Sequence, residues 1–111
     1  MREKTKINKN REYKKIYNRG KSMASSVLVT YFLKNKLSAV RFGITTSKKI
    51  GNAVKRNRAR RVIRAAFSEL KNEVKNGSDF IFVARSKTCF VKSGEVLKDM
   101  KFHLEKLGAL K

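Results

Sequence analysis

Arg56, Asn57, Arg58, Arg60, Arg61 and Arg64 bring five guanidinium groups and one amide together within nine residues. A guanidinium fork grips a phosphate through two parallel N–H groups and also stacks on a nucleobase, whereas a lysine ammonium acts as a point charge. Lys48, Lys49 and Lys55 stand just before them. No Asp or Glu occurs between Glu12 and Glu69, an interval that holds fifteen Lys and Arg. A solvated helix face normally mixes both signs, because acid–base pairs four residues apart offset like-charge repulsion. A field of one sign strains the folded state unless an outside anion neutralises it. The residue types point to binding of a polyanion.

Such a group of side chains needs a rigid support, and the apolar residues between them supply one. Ala59, Val62, Ile63, Ala66, Phe67 and Leu70 recur at steps of three and four, the spacing of one face of an α-helix. At about 100° per residue, that stripe faces away from Asn57, Arg58, Arg61 and Arg64. The helix is predicted to start at Asn52, its N-cap, and to run to about Asn76, where Gly77 stops it. Gly51 forms a strand-to-helix corner, a place where unpaired amide N–H groups favour an anion. It has neither the second glycine nor the Gly-Lys-Ser/Thr of a Walker loop, so nucleotide hydrolysis is not expected.

Other catalytic chemistry lacks its residues. The chain has six Glu and two Asp, all outside the basic interval, with no paired carboxylates and no Ser-His-Asp set. Glu69 and Glu73 read as a solvated pair, and Asp79 as a turn or cap residue. One Cys (Cys89) and one His (His103) cannot by themselves build a zinc site. Cys89 reads as a small packing residue and His103 as a residue at the edge of a helix's apolar stripe. No catalytic residue and no metal ligand is assigned.

The 111 residues suffice for one domain with a modest core, and a formal charge of +21 with a pI near 10.7 is the footprint of a nucleic-acid binder. There is no apolar run of membrane-spanning length and no secretory h-region, so neither a span nor a signal is expected. A single cysteine fits a cytoplasmic setting.

Along the chain, residues 1–9 read as a flexible basic arm. Asn10 caps a short helix over Arg11 to Asn18, which Gly20 ends in the C′ position. Tyr13, Ile16 and Tyr17 share one side of it. Packing accounts for Ile16, while the two tyrosines suit either the core or stacking on bases with their hydroxyls in water. Lys21 to Ser26 reads as a polar connector. Val27 to Leu33 is a strand, and Leu37 to Ser47 alternates, with Val40, Phe42, Ile44 and Thr46 on a core side and Arg41, Gly43, Thr45 and Ser47 on the other. These two strands are predicted to pair antiparallel across a turn at Asn35. Asp79 to Arg85 is a near-continuous apolar strand, and a last helix begins at about Ser93 with Leu97, Met100, Leu104 and Leu107 as its stripe. The order αββαβα implies an α+β fold, a two-layer sandwich with a mainly antiparallel sheet and helices mainly on one face.

Arg41-Phe42-Gly43-Ile44, then Ser47-Lys48-Lys49-Ile50-Gly51-Asn52-Ala53-Val54-Lys55-Arg56-Asn57-Arg58, with Arg61 and Arg64 beyond, resembles the protein subunit of bacterial ribonuclease P. Asn10–Gly20 is similar to that family's first helix and Asp79–Arg85 to its Asp-(apolar)-Ala-Arg strand, so the likeness runs over residues 8 to 107. It implies a left-handed βαβ crossover and one RNA-binding domain over residues 1–111. It implies a ribonucleoprotein endonuclease whose catalytic RNA subunit, with Mg²⁺ bound alongside the RNA and not at a protein site, removes the 5′ leader of precursor tRNA. The protein alone would not cleave. By resemblance, Lys49, Lys55, Arg56, Asn57, Arg58, Arg60, Arg61 and Arg64 contact the RNA subunit, one to one. Tyr13, Tyr17, Tyr31, Thr45 and Lys48 line a cleft for the leader. The first two tyrosines stand where the family often has Phe, and Arg60 where Lys is common. No membrane and no protein partner is implied.

Two other functions use the same features. A ribosomal-type RNA binder would need the basic helix but no leader cleft. A cationic membrane-active or DNA-compacting protein would need charge alone, although the helix carries Ala and Val where a membrane-surface segment carries Trp and Leu.

Overall fold

In the computed structural model of the chain, residues 4–7 and 9–111 are described. The elements are β1 (Lys4–Lys6), α1 (Asn10–Arg19), β2 (Lys21–Ala24), β3 (Leu28–Lys34), β4 (Val40–Thr45), α2 (Ala53–Leu70), β5 (Ser78–Ala84) and α3 (Ser93–Leu107), with single 3₁₀ turns at Lys48–Ile50 and Thr88–Phe90. The α+β class and the αββαβα succession hold, with two short strands added. Lys4–Lys6 is a strand where a flexible arm was expected, and Ile7 behind it is 1% exposed. Met1–Glu3 and Asn8, the remainder of that expected arm, lie outside the described residues. Lys21–Ala24, read from sequence as a connector, pairs with β3.

The five strands lie in the order β1-β4-β5-β3-β2. The expected hairpin between β3 and β4 does not form. β5 inserts between them, antiparallel to β3 (Tyr31 opposite Ile81) and parallel to β4 (Gly43 opposite Ile81). β5 has both faces apolar enough for the middle of the sheet: Phe80, Ile81 and Phe82 are all fully buried. With β1 parallel to β4 and β2 antiparallel to β3, the sheet is evenly mixed and not mainly antiparallel. Parallel pairing of β4 with β5 requires a crossover, and α2 provides it.

Strand alternation divides the core in two. Leu28, Phe32, Val40, Phe80, Phe82 and Ala84 face α2 and α3, and Phe67 of α2 packs 5.2–5.6 Å, centroid to centroid, from Phe80 and Phe82. Ile81 points the other way, against Ile16 of α1 and Ile7, with Tyr13, Tyr31, Leu33 and Val83 around them. Helices therefore cover both faces, two on one side and α1 on the other, where two layers were expected.

α2 is shorter than its sequence suggested. It stops at Leu70; Lys71 to Glu73 form a turn, and Val74, 1% exposed, makes an antiparallel bridge with Leu110. Lys75 N–H donates to the Ala109 carbonyl at 2.9 Å and Lys111 N–H to that of Glu73 at 2.8 Å, so the C-terminal segment takes the place of further helix. Gly20 ends α1 in an extended conformation, φ −75°, not a left-handed one. A Cβ there would lie 2.6 Å from the Ile16 carbonyl oxygen and 2.8 Å from that of Phe32, so close approach is what requires glycine.

His103 is a core residue and not a boundary one. It is 1% exposed, and its Nδ1 lies 2.9 Å from the hydroxyl of Thr30, itself fully buried. Burial pushes the imidazole below its ordinary 6.5, against a smaller upward pull from Asp99. The unfolded chain then takes up the proton first as pH falls, so this group leaves stability flat above about 6.5 and lowers it from there down to the depressed folded value. Urea midpoints for wild type and His103→Gln between pH 7.5 and 5.5 check this: the decline below pH 6.5 should be smaller in the variant.

Candidate nucleic-acid interface

α2 presents its charge as the spacing predicts. Ala59, Val62, Ile63, Ala66, Phe67 and Leu70 are buried, and Asn57, Arg58, Arg61 and Arg64 are exposed. Asn52 caps the helix, its Oδ1 accepting from Lys55 N–H at 3.0 Å. Gly51 makes the corner with φ +136°, a conformation closed to most side chains.

The eight candidate residues for RNA contact divide by what they already hold. Arg56 donates to the Gly51 carbonyl at 2.7 Å, closing the corner. Arg58 Nε donates to the Cys89 carbonyl at 2.7 Å, tying α2 to the Thr88–Phe90 turn. Arg60 donates to Thr46 Oγ1 at 2.6 Å and to Asn57 Oδ1. Lys55 Nζ stands 5.5 Å from the Phe90 ring centroid. Lys49 is exposed on the Lys48–Ile50 turn. Arg61 and Arg64 are exposed, and among the described residues their guanidinium groups have no hydrogen-bond or ion-pair partner. No arginine of α2 pairs with a carboxylate there; the ion pairs belong to Arg41.

The aromatic candidates gather on the opposite face of the sheet. Tyr17 packs edge-on against Tyr31 at 4.8 Å and tilted against Tyr13 at 6.2 Å, and its hydroxyl lies 3.2 Å from Thr45 Oγ1. Tyr17 is 37% exposed, while Tyr13, Tyr31 and Thr45 are half-buried. Tyr13 has a structural bond, donating to the Ile7 carbonyl at 3.2 Å, and burial, with the Tyr17 hydroxyl nearby, raises its pKa. Tyr17 thus offers the most accessible ring of the three. Lys48 is exposed three residues beyond Thr45, and among the described residues no hydrogen bond joins it to the tyrosines.

Three residues that sequence reasoning passed over shape this cleft. Gly43 lies under Tyr13, and a Cβ there would come 2.8 Å from the ring's Cζ and overlap the hydroxyl. Arg41 forks onto Asp79, with Nε to Oδ1 at 2.9 Å and a terminal nitrogen to Oδ2 at 2.7 Å, while its other terminal nitrogen reaches Glu12 Oε2 at 2.8 Å. Asn35 donates to Asp79 Oδ1 at 2.7 Å. Asp79 is therefore a buried ion-pair partner rather than a turn residue. The hydrogen bond to Asp79 is the main reason that the Arg41 guanidinium holds its proton even more tightly than an ordinary arginine. Alternation had put Arg41 and Gly43 on the non-core face of β4; the partners, 29 and 38 residues away, left no local signal.

The sequence and the fold that carry this basic helix and this aromatic cleft both match those of known proteins. The family model described as Ribonuclease P matches residues 1–108. The chain belongs to the ribonuclease P protein family. It is 42% identical to the ribonuclease P protein component of Bacillus cereus (strain AH187), over the whole of this chain and 96% of that one. Its fold superposes on the RNase P protein of Staphylococcus aureus with a TM-score of 0.84 at 32% identity, covering 96% of this chain and 97% of that one. For the Thermotoga maritima protein the TM-score is 0.77 at 27% identity, with 93% and 94% covered. As a ribonuclease P protein component, the chain is a subunit of a ribonucleoprotein endoribonuclease of tRNA processing.

The Glu12–Arg41–Asp79 group fastens α1 to β4 and β5, and so holds the tyrosines over the sheet. Removing Arg41 leaves Asp79, whose side chain is 5% exposed, without its charge partner. Arg41→Gln should cost about 3 kcal/mol of unfolding free energy in urea, the low end for a broken buried pair because Arg41 itself is partly solvated. Arg61→Ala, at a free surface residue, should change it by less than about 0.5 kcal/mol.

Proposed function

We propose that residues 1–111 act as one RNA-binding domain with two sites. The exposed side of α2 binds the catalytic RNA subunit, one protein per RNA, and the 5′ leader of precursor tRNA lies in the cleft of Tyr13, Tyr17, Tyr31 and Thr45, with Lys48 at its end. The observation that carries this reading is the set of guanidinium groups on α2 that have no carboxylate partner among the described residues, Arg61 and Arg64 above all. Lys49, Lys55, Arg56, Asn57, Arg58 and Arg60 border them, and of these Arg56, Arg58 and Arg60 also serve the fold. The deep, narrow major groove of A-form RNA excludes a helix, so α2 docks on folded, irregular backbone.

Hydrolysis falls to the RNA and Mg²⁺. Among the described residues no three of His, Cys, Asp and Glu converge, and Glu12 and Asp79 are engaged by Arg41. In this reading the metal is held by RNA phosphates, where it would stabilise the charge that develops on oxygen. The protein's part is to hold the leader next to that RNA and to lower phosphate repulsion. Among the described residues no helix is long and apolar enough to cross a membrane. A cytoplasmic setting goes with the substrate.

Reconstitution tests the assignment. With a cognate catalytic RNA in low Mg²⁺, the protein should restore cleavage of precursor tRNA at one 5′ site and should be inert without the RNA. Cleavage by the protein alone would overturn the division of roles. In the same system Tyr17→Ala should weaken binding of leader-bearing precursor by about tenfold and leave mature tRNA unaffected, the loss of roughly one stacked base. Equal losses for both would remove the leader role.

Phosphate contact by α2 has a separate signature. Arg61→Ala and Arg64→Ala should each reduce the log–log salt slope of RNA binding by roughly 0.7–1. A slope equal to that of wild type would exclude these contacts.

A further inference from the structure

We infer that Phe90 is a base-stacking residue for the RNA held on α2, carrying that interface onto the Thr88–Phe90 turn. This rests on the reading of α2 as an RNA face and adds an aromatic contact to a surface otherwise made of cations. Phe90 is 69% exposed, whereas its neighbours Thr88, Cys89 and Val91 are at most 7% exposed. The ring is turned outward from a segment that is otherwise part of the core.

The turn that carries it is held firmly. Thr88 Oγ1 donates to the Val27 carbonyl at 2.5 Å and accepts from Arg85 N–H at 2.8 Å, and Phe90 N–H donates to the Lys87 carbonyl at 3.0 Å. Arg58 then fixes the turn to α2 through the Cys89 carbonyl. A ring presented on a fixed backbone loses little entropy when a partner stacks on it.

Its surroundings select the partner. Lys55 lies 5.5 Å from the ring centroid, and only Nε of Arg58 is engaged, so its terminal nitrogens are available among the described residues. Arg58, Arg61, Ala65 and Lys92 line a shallow depression of about 360 Å³ beside the turn. An apolar protein surface covering Phe90 would have to desolvate these cations without compensation. An unstacked nucleotide meets both demands, with a π face for the ring and phosphates for the cations around it.

The test measures affinity for the cognate catalytic RNA transcript across a salt series, using Phe90→Ala, Phe90→Leu and Phe90→Trp, with Arg61→Ala alongside. Thermal unfolding should show all four folded, since both positions are exposed. Phe90→Ala and Phe90→Leu should each weaken binding by about 5- to 100-fold with the salt slope unchanged, the loss of one stacked base. Phe90→Trp should bind at least as tightly as wild type. The inference is overturned if Phe90→Ala binds like wild type, or if Phe90→Leu does, which would mean an apolar cover and not stacking. Loss of self-association by light scattering, with RNA affinity intact, would equally overturn it in favour of a contact between copies. If Arg61→Ala changes neither affinity nor slope while Phe90→Ala weakens binding, the stacking contact stands and the phosphate role of Arg61 falls.

Discussion

Eight carboxylates share the chain with twenty-nine lysines and arginines, and where the few acids go decides what the rest of the surface can do. Two of them, Glu12 and Asp79, converge on Arg41, and this one group joins α1 to β4 and β5 across the sheet. Placed there, they neutralise a cation that is partly withdrawn from water, and among the described residues no carboxylate pairs with the arginines of α2. Folding therefore tolerates a concentrated positive field on one helix because that field is solvated, while the interior charge is paired.

The sheet keeps the two candidate sites apart. β5 sits in its middle, and its alternation sends Phe80 and Phe82 to the side of α2 and Ile81 to the side of α1. Phe67 fixes α2 by packing against Phe42, Phe80 and Phe82, so the arginine face is held by the main core. The tyrosine cleft rests instead on the smaller cluster of Ile7, Ile16 and Ile81, fastened by the ion triad. A layer one sheet thick thus separates the arginine face of α2 from the aromatic cleft.

Several side chains serve both fold and interface. Arg56 closes the Gly51 corner, Arg58 anchors the Thr88–Phe90 turn, and Arg60 bonds Thr46 at the end of β4. Arg56 and Arg58 each engage one nitrogen inside the protein and keep the rest of the fork for solvent, whereas Arg60 has both terminal nitrogens engaged, on Thr46 and Asn57. Arginine can serve partners that lie well apart because its N–H groups are spread over three nitrogens in a fixed plane, whereas the three donors of lysine radiate from one atom. Substitutions at these three positions would each remove a bond within the protein, whereas at Arg61 and Arg64 no such bond of the guanidinium is present among the described residues.

The residues by themselves determined six of the eight helices and strands described, and the charged face. The three- and four-residue spacing from Ala59 to Leu70 fixed which side of α2 is buried, and alternation from Val40 to Thr45 put Arg41 and Gly43 away from the main core, because both periodicities are local properties of the backbone. The motif around Arg56-Asn57-Arg58 was specific enough to indicate the family. Strand order was not legible: β3 and β4 looked like a hairpin, and only the competition for the centre of the sheet, won by β5, separated them. The end of α2, the burial of His103 against Thr30, and the pairing of Arg41 with Glu12 and Asp79 were equally hidden. Each depends on a partner about thirty or more residues away, and long-range contacts of that kind are set when the chain packs, not by the neighbours of a residue in sequence.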